Sequence, residues 1–232
     1  MKTREEILSC IARYLMLYGS FISNIGLLNG KTGIAVFFYH YARHTGKKRY
    51  DDFAGELIDE IYKEIHRDTP CNFRDGLCGI AWGIEYLIRN QFVEADPDKV
   101  LIDLDKQIRE RDVRQTTDYT LETGLKGIAC YVISRLANRK SENSLITLEY
   151  IQDLITALGK EKKEDEAKTL LIRDLEKIID KEEIVRFYNP LFRIVNAVRY
   201  QEKSLFQKPH LLGIDKNGYA GIGLQLMKVH KP

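Results

Sequence analysis

The stretch "NGKTGIAVF", Asn29 to Phe37, places two glycines, Gly30 and Gly33, where a helix should begin. A glycine in a helix interior costs roughly 1 kcal/mol relative to alanine. The same pattern returns as "DGLCGIAWG" from Asp75, "TGLKGIACY" from Thr123 and "NGYAGIGLQ" from Asn217. In all four, a small polar residue is followed by Gly, two variable residues, Gly, Ile and then Ala or Gly. A pattern repeated against its local cost marks a unit that the fold requires.

The leading glycines Gly30, Gly76, Gly124 and Gly218 are separated by 46, 48 and 94 residues, the last step being twice 47. A period near 47 therefore runs along the chain, with one place vacant near residue 171. Repeats of this length are stacked helix pairs, because a two-helix unit cannot bury its apolar face alone.

The segments between the motifs agree. "RYDDFAGELIDEIYKEIHRD" carries Phe53, Leu57, Ile58, Ile61 and Ile65 on one helical stripe, which predicts an outer helix over 50–67. Asp96 and Pro97 supply a cap and a first residue for a helix over 97–111. "SLITLEYIQDLITALG" predicts another over 145–158 that stops at Gly159, and Asn189-Pro190 opens "NPLFRIVNAVRY". The stretches that follow the motif glycines are apolar nearly all round, so they belong inside. "TLLIRDLEKII" is expected to take the vacant inner place, with its charges limiting burial. No strand pattern competes, and the expectation is one all-α domain over 1–232.

Asn29, Asp75, Thr123 and Asn217 are good N-cap residue types, which would set the two motif glycines at N1 and N4. Missing side chains there let a neighbouring helix pack closely. They also let a ligand reach free N–H groups at the positive ends of the helices, where an anion or a peptide backbone is favoured. Lys31, Arg74, Lys126 and Lys216 would add positive charge, partly cancelled by Asp75 and Glu122. The candidate ligand-binding set is Asn29, Gly30, Arg74, Asp75, Gly76, Trp82, Glu85, Glu122, Thr123, Gly124, Lys216, Asn217 and Gly218.

Bulk charge narrows the classes. With 36 basic and 34 acidic residues, the net charge of +2 gives no general field towards nucleic acid or an anionic membrane. Apolar runs fall short of the ~20 residues that cross a bilayer. The first residues are amphipathic with early glutamates, unlike a signal peptide, so a cytoplasmic location is expected.

Four cysteines, Cys10, Cys71, Cys78 and Cys130, are too few for a disulfide framework. Cys71 and Cys78 flank the second motif with His66 upstream, but their six-residue gap is not a usual zinc spacing, and no metal site is expected. Cys10 and Cys130 read as core residues. His40 and His44 lie one turn apart, and His44 suits the negative helix end before Gly46. His210 and His230 have no partners in sequence. Asp75, Glu85 and Glu122 are the carboxylates near the motifs that a glycosidase would need in pairs, with Glu85 alone on an apolar helix. Trp82 and the neighbouring tyrosines read as core, or as anchors for a peptide or sugar.

Four such motifs in register resemble the lanthionine synthetase C-like family, from "GLLNGKTGIAVFF" to "GYAGIGLQLM". The resemblance implies an α/α toroid, here an incomplete or small barrel of about five hairpins. Typical members carry zinc and add cysteine thiols to dehydrated residues of a peptide. Their zinc-binding cysteine lies two positions before the first motif glycine, and a Cys-His pair directly before that glycine in a later repeat completes the site. Here the first set of positions holds Leu28, Arg74, Glu122 and Lys216, and the second Asn29, Asp75, Thr123 and Asn217. The resemblance thus implies a short branch without zinc or another cofactor. Such a chain is expected to bind a peptide substrate or a modification enzyme without catalysis, with self-association open to it. A degenerate cyclase and a carboxylate-based carbohydrate enzyme are the alternatives.

Overall fold

Helix is the only regular structure that the apolar spacing supports, and among the described residues no strand forms. The computed structural model describes residues 3–137, 145–163, 165–184, 189–200 and 211–229. They form α1 (Arg4–Tyr18), α2 (Lys31–Thr45), α3 (Lys48–Glu64), α4 (Leu77–Arg89), α5 (Pro97–Val100) and α6 (Ile102–Arg109). These are followed by α7 (Leu125–Leu136), α8 (Leu148–Gly159), α9 (Glu166–Ile179), α10 (Pro190–Ala197) and α11 (Tyr219–Leu226). The architecture is all-α and consistent with the α/α toroid class. The chain divides into two compact units, Met1–His66 with Asn189–Pro232, and Arg67–Tyr188.

In the first unit, α2 is buried from Lys31 to Tyr39. It ends at Gly46, whose φ of 66° gives the left-handed stop that glycine favours. Against it α3 buries one face, Tyr50, Ala54, Leu57 and Ile61. The last helix, α11, packs on α1, α2 and α10. Its approach to α2 is close: a Cβ at Gly223 would fall 2.2 Å from the Phe37 ring. The first and fourth motif helices are therefore neighbours.

In the second unit, α4 packs on α6 and α7, and α7 packs on α8 and α9. Both motif helices are buried over most of their length. Asp96 caps Pro97 as expected, but the helix over 97–111 breaks at Leu101 into α5 and α6. The break lets Asp98 and Asp105 both reach the buried Arg135 guanidinium, at 2.7 and 2.8 Å. The Tyr131 hydroxyl donates to the same Asp105. In the vacant repeat place, α9 packs on both the motif helix α7 and the outer α8. Its polar residues restrict burial to one face, Lys168, Leu171, Asp174 and Leu175.

Candidate functional site: the motif loops

The four motif helices begin one residue later than their sequence suggests. The N-cap is the leading glycine itself, Gly30, Gly76, Gly124 or Gly218, with no side-chain cap bond. Asn29, Asp75, Thr123 and Asn217 thus precede the cap, and the motif glycines stand at N-cap and N3. The reason is that the preceding loop caps each helix with its own backbone. Lys31 N donates to Asn24 O, Leu77 N to Pro70 O and Leu125 N to Asp118 O, at 2.8–2.9 Å. Tyr219 N, Ala220 N and Gly221 N donate to the carbonyls of Leu211, Leu212 and Gly213. Several N–H groups that a ligand was expected to use are therefore already engaged.

This wrapping also explains the glycines. At Gly30, φ is −127°, extended backbone that any residue adopts, so the requirement is for space. A Cβ at Gly30 would lie 2.4 Å from Asn24 O, at Gly76 2.0 Å from Pro70 O and at Gly124 2.2 Å from Asp118 O. The second glycines repeat the arrangement, with Gly33 against Leu27 O and Gly127 against Leu121 O, at 2.2 and 2.3 Å. In these five cases the carbonyl belongs to the residue six positions earlier. A sequence signal for it does exist: the turn-forming Asn24, Pro70 and Asp118 stand six before the first three leading glycines. Asn24 and Asp118 each accept a bond from the N–H two residues on, at Gly26 and Thr120.

Within each unit the motif loops meet in pairs. Leu28 O accepts bonds from Ile214 N and Asp215 N at 2.7 and 3.0 Å, joining the first and fourth loops. Arg74 N donates to Glu122 O at 2.8 Å, joining the second and third. The side chains around these joints are mixed. Asn29, Arg74, Asp75 and Glu122 are half-buried, whereas Thr123, Lys216 and Asn217 are exposed. The Thr123 hydroxyl donates to Asp118, and Asn217 Oδ1 accepts from Arg199 N. Lys216 and Asn217 both take left-handed backbone, φ 52° and 62°, which turns the chain into α11.

Two of the expected cations face inward. Lys31 Nζ lies 2.8 and 2.6 Å from Glu60 and Glu64, and Lys126 Nζ lies 3.1 and 2.5 Å from Glu161 and Asp165. Burial works against the Lys31 charge, yet hydrogen bonds to Glu60 and Glu64 hold the ammonium above its ordinary range. These lysines therefore tie motif helices to the acids of later segments and add little to an open positive field.

Trp82 and Glu85 lie in the interior of α4. The Trp82 indole donates to Ser134 Oγ at 3.1 Å and stacks on Tyr86. Arg89 lies 2.8 Å from Glu85 and also donates to the carbonyls of Ser134 and Ala137. Glu85 thus anchors an arginine that closes the end of α7. His44 lies 3.1 Å from Glu5, and burial pushes the His40 imidazole down to about 3, so at neutral pH it is uncharged. His210 and His230 fall outside the described residues.

The Cys71 and Cys78 sulfurs are 3.6 Å apart. The hydrogen bond from Cys78 holds the Cys71 thiol below its usual range against burial, with help from Arg111. Burial pushes Cys78 well up. Among the described residues no group of three or more His, Cys, Asp or Glu is arranged to hold a metal ion. A catalytic zinc takes three protein ligands, and the buried Leu28 and the Arg74, Glu122 and Lys216 positions do not form such a set. Among the described residues no helix is long and apolar enough to cross a membrane.

Comparison with curated proteins and with solved structures returns no match. A family model of lanthionine synthetase C-like proteins matches residues 22–176, which is more than half of the chain. The match takes in the first three motifs and most of α9 and stops before the fourth. With its motif helices, glycine-capped loops and repeat period, the chain belongs to the lanthionine synthetase C-like family.

Proposed function

We propose that this protein is a non-catalytic member of its family that binds a peptide, or the enzyme modifying that peptide, in a cytoplasmic maturation step. One observation carries the reading. The motif scaffold is kept, with loop, glycine cap and buried helix, while the two positions before each leading glycine hold neither Cys nor His for zinc. The contacting groups are the loop side chains beside each joint. They are Asn29, Lys216 and Asn217 in one unit, and Arg74, Asp75, Glu122 and Thr123 in the other. Because many helix N–H groups are engaged, the side chains rather than the helix ends select the ligand. The glycines let each loop lie close on its helix start, and Trp82 packs edge-on against Phe73 of the second loop, whereas Glu85 stands further along α4. No metal or organic cofactor is required for binding, and self-association is compatible with it.

The test uses a peptide containing a dehydroalanine and a cysteine. Saturable binding at micromolar strength, about −8 kcal/mol, is expected by calorimetry, without consumption of the peptide thiol when zinc is supplied. Arg74→Glu or Lys216→Glu should weaken the binding while the circular dichroism spectrum stays unchanged. Zinc-dependent loss of the peptide thiol would overturn the non-catalytic reading. Absence of binding to both the peptide and its modifying enzyme would overturn the binding role.

A further inference from the structure

The second motif differs from the others in what faces across its loop. Leu77 N donates to Pro70 O and Gly79 N to Asn72 O, so the residue between each pair, Cys78 and Cys71, face one another. In the first motif the corresponding places hold Thr32 and Ile25, and the Thr32 hydroxyl donates to Ile25 O at 2.6 Å. In the third they hold Lys126 and Tyr119. The second motif places two thiols there, with sulfurs 3.6 Å apart. Cys71 is half-buried, whereas Cys78 and Cys130 are buried. Arg111 donates to the carbonyls of Arg67 and Thr69, holding the start of this loop beside Cys71.

We propose that Cys71 and Cys78 are a thiol–disulfide exchange site, which closes a reversible disulfide across the second motif loop at the expense of a small-molecule disulfide. The Cys71 thiolate attacks one sulfur of the reagent, forms a mixed disulfide and releases one reagent thiol. Cys78 then attacks the Cys71 sulfur, and its proton passes to the departing reagent sulfur, which leaves as the second reagent thiol. Two protein thiols are oxidised and one external disulfide is reduced, so atoms and electrons balance. The order follows from access, since Cys71 reaches solvent and Cys78 does not. It also follows from thiolate character, which is greater at Cys71. The consequence is a covalent strap on the loop whose Arg74 joins the Glu122 loop.

Hydroxyethyl disulfide is the probe. Trypsin cuts after Arg67, Arg74 and Arg89, so the two cysteines fall in separate peptides, 68–74 and 75–89. After oxidation, mass spectrometry should find these peptides linked and separable by dithiothreitol. Cys78→Ser should instead accumulate the mixed disulfide on Cys71, and Cys71→Ser should leave Cys78 unmodified. Arg111→Gln should slow the first step several-fold, and Arg111→Lys should restore much of the rate with the same pH profile. A wild-type protein that keeps a mixed disulfide on Cys71 without linkage would overturn the proposal. So would one in which neither thiol reacts. Because the wild-type linkage is read directly, the result does not depend on any variant folding.

Discussion

Gly76 and Gly159 show how differently one residue type can act. A Cβ at Gly76 would lie 2.0 Å from the Pro70 carbonyl, which is fixed by its bond to Leu77 N, whereas Gly159 has nothing within 4 Å. Gly76→Ala must therefore push the loop off the helix start, at a cost of ~1–3 kcal/mol or more. Gly159→Ala should instead stabilise by ~0.4–1 kcal/mol, by narrowing the unfolded ensemble. Thermal melts of the two variants should move in opposite directions, and a neutral Gly76→Ala would remove the steric account. The sequence made the importance of these glycines legible, since four copies at one period are unmistakable. It assigned the capping to the wrong atoms, because a backbone carbonyl has no residue type of its own. The inward turn of Lys31 and Lys126 was hidden for a related reason. Their acid partners lie about thirty to forty positions away, beyond any local pattern.

At the scale of elements, the buried network between the broken α5–α6 pair and α7 carries an electrostatic risk. The Arg135 side chain is 2% exposed and that of Asp105 1%. Arg135→Leu takes the guanidinium away from the buried Asp105 carboxylate, which should cost ~3–5 kcal/mol. Pairing it with Asp105→Leu should recover much of that loss, because the stranded charge is then gone. Chemical denaturation of the single and double variants measures this directly. Near-additive losses would show that the pair holds shape rather than charge. Amphipathic spacing predicted where the outer helices run, but not the Leu101 break. That break serves two aspartates meeting one distant arginine, a requirement that no window on 97–111 contains. The vacant place near 171 was legible from the period alone, and the one-sided burial of α9 follows its charged composition.

At the scale of the molecule, the first unit is assembled from both ends of the chain and the second from the stretch between. Removing residues 189–232 takes away α10 and α11, and with them the face that covers α1 and α2. Hydrogen exchange on the shortened protein should show lost protection in α1 and α2, while α4 and α7 keep theirs. Equal loss in all four helices would mean that the two units fold as one cooperative block. The division also fixes an order of events during synthesis. On a ribosome, α1 to α3 emerge before the middle stretch but cannot complete their packing until α11 has been made. The middle stretch has by then had time to fold. Segment 1–66, made before the middle stretch, therefore becomes secure only after it, with the apolar side chains that α11 covers left open to water in the meantime.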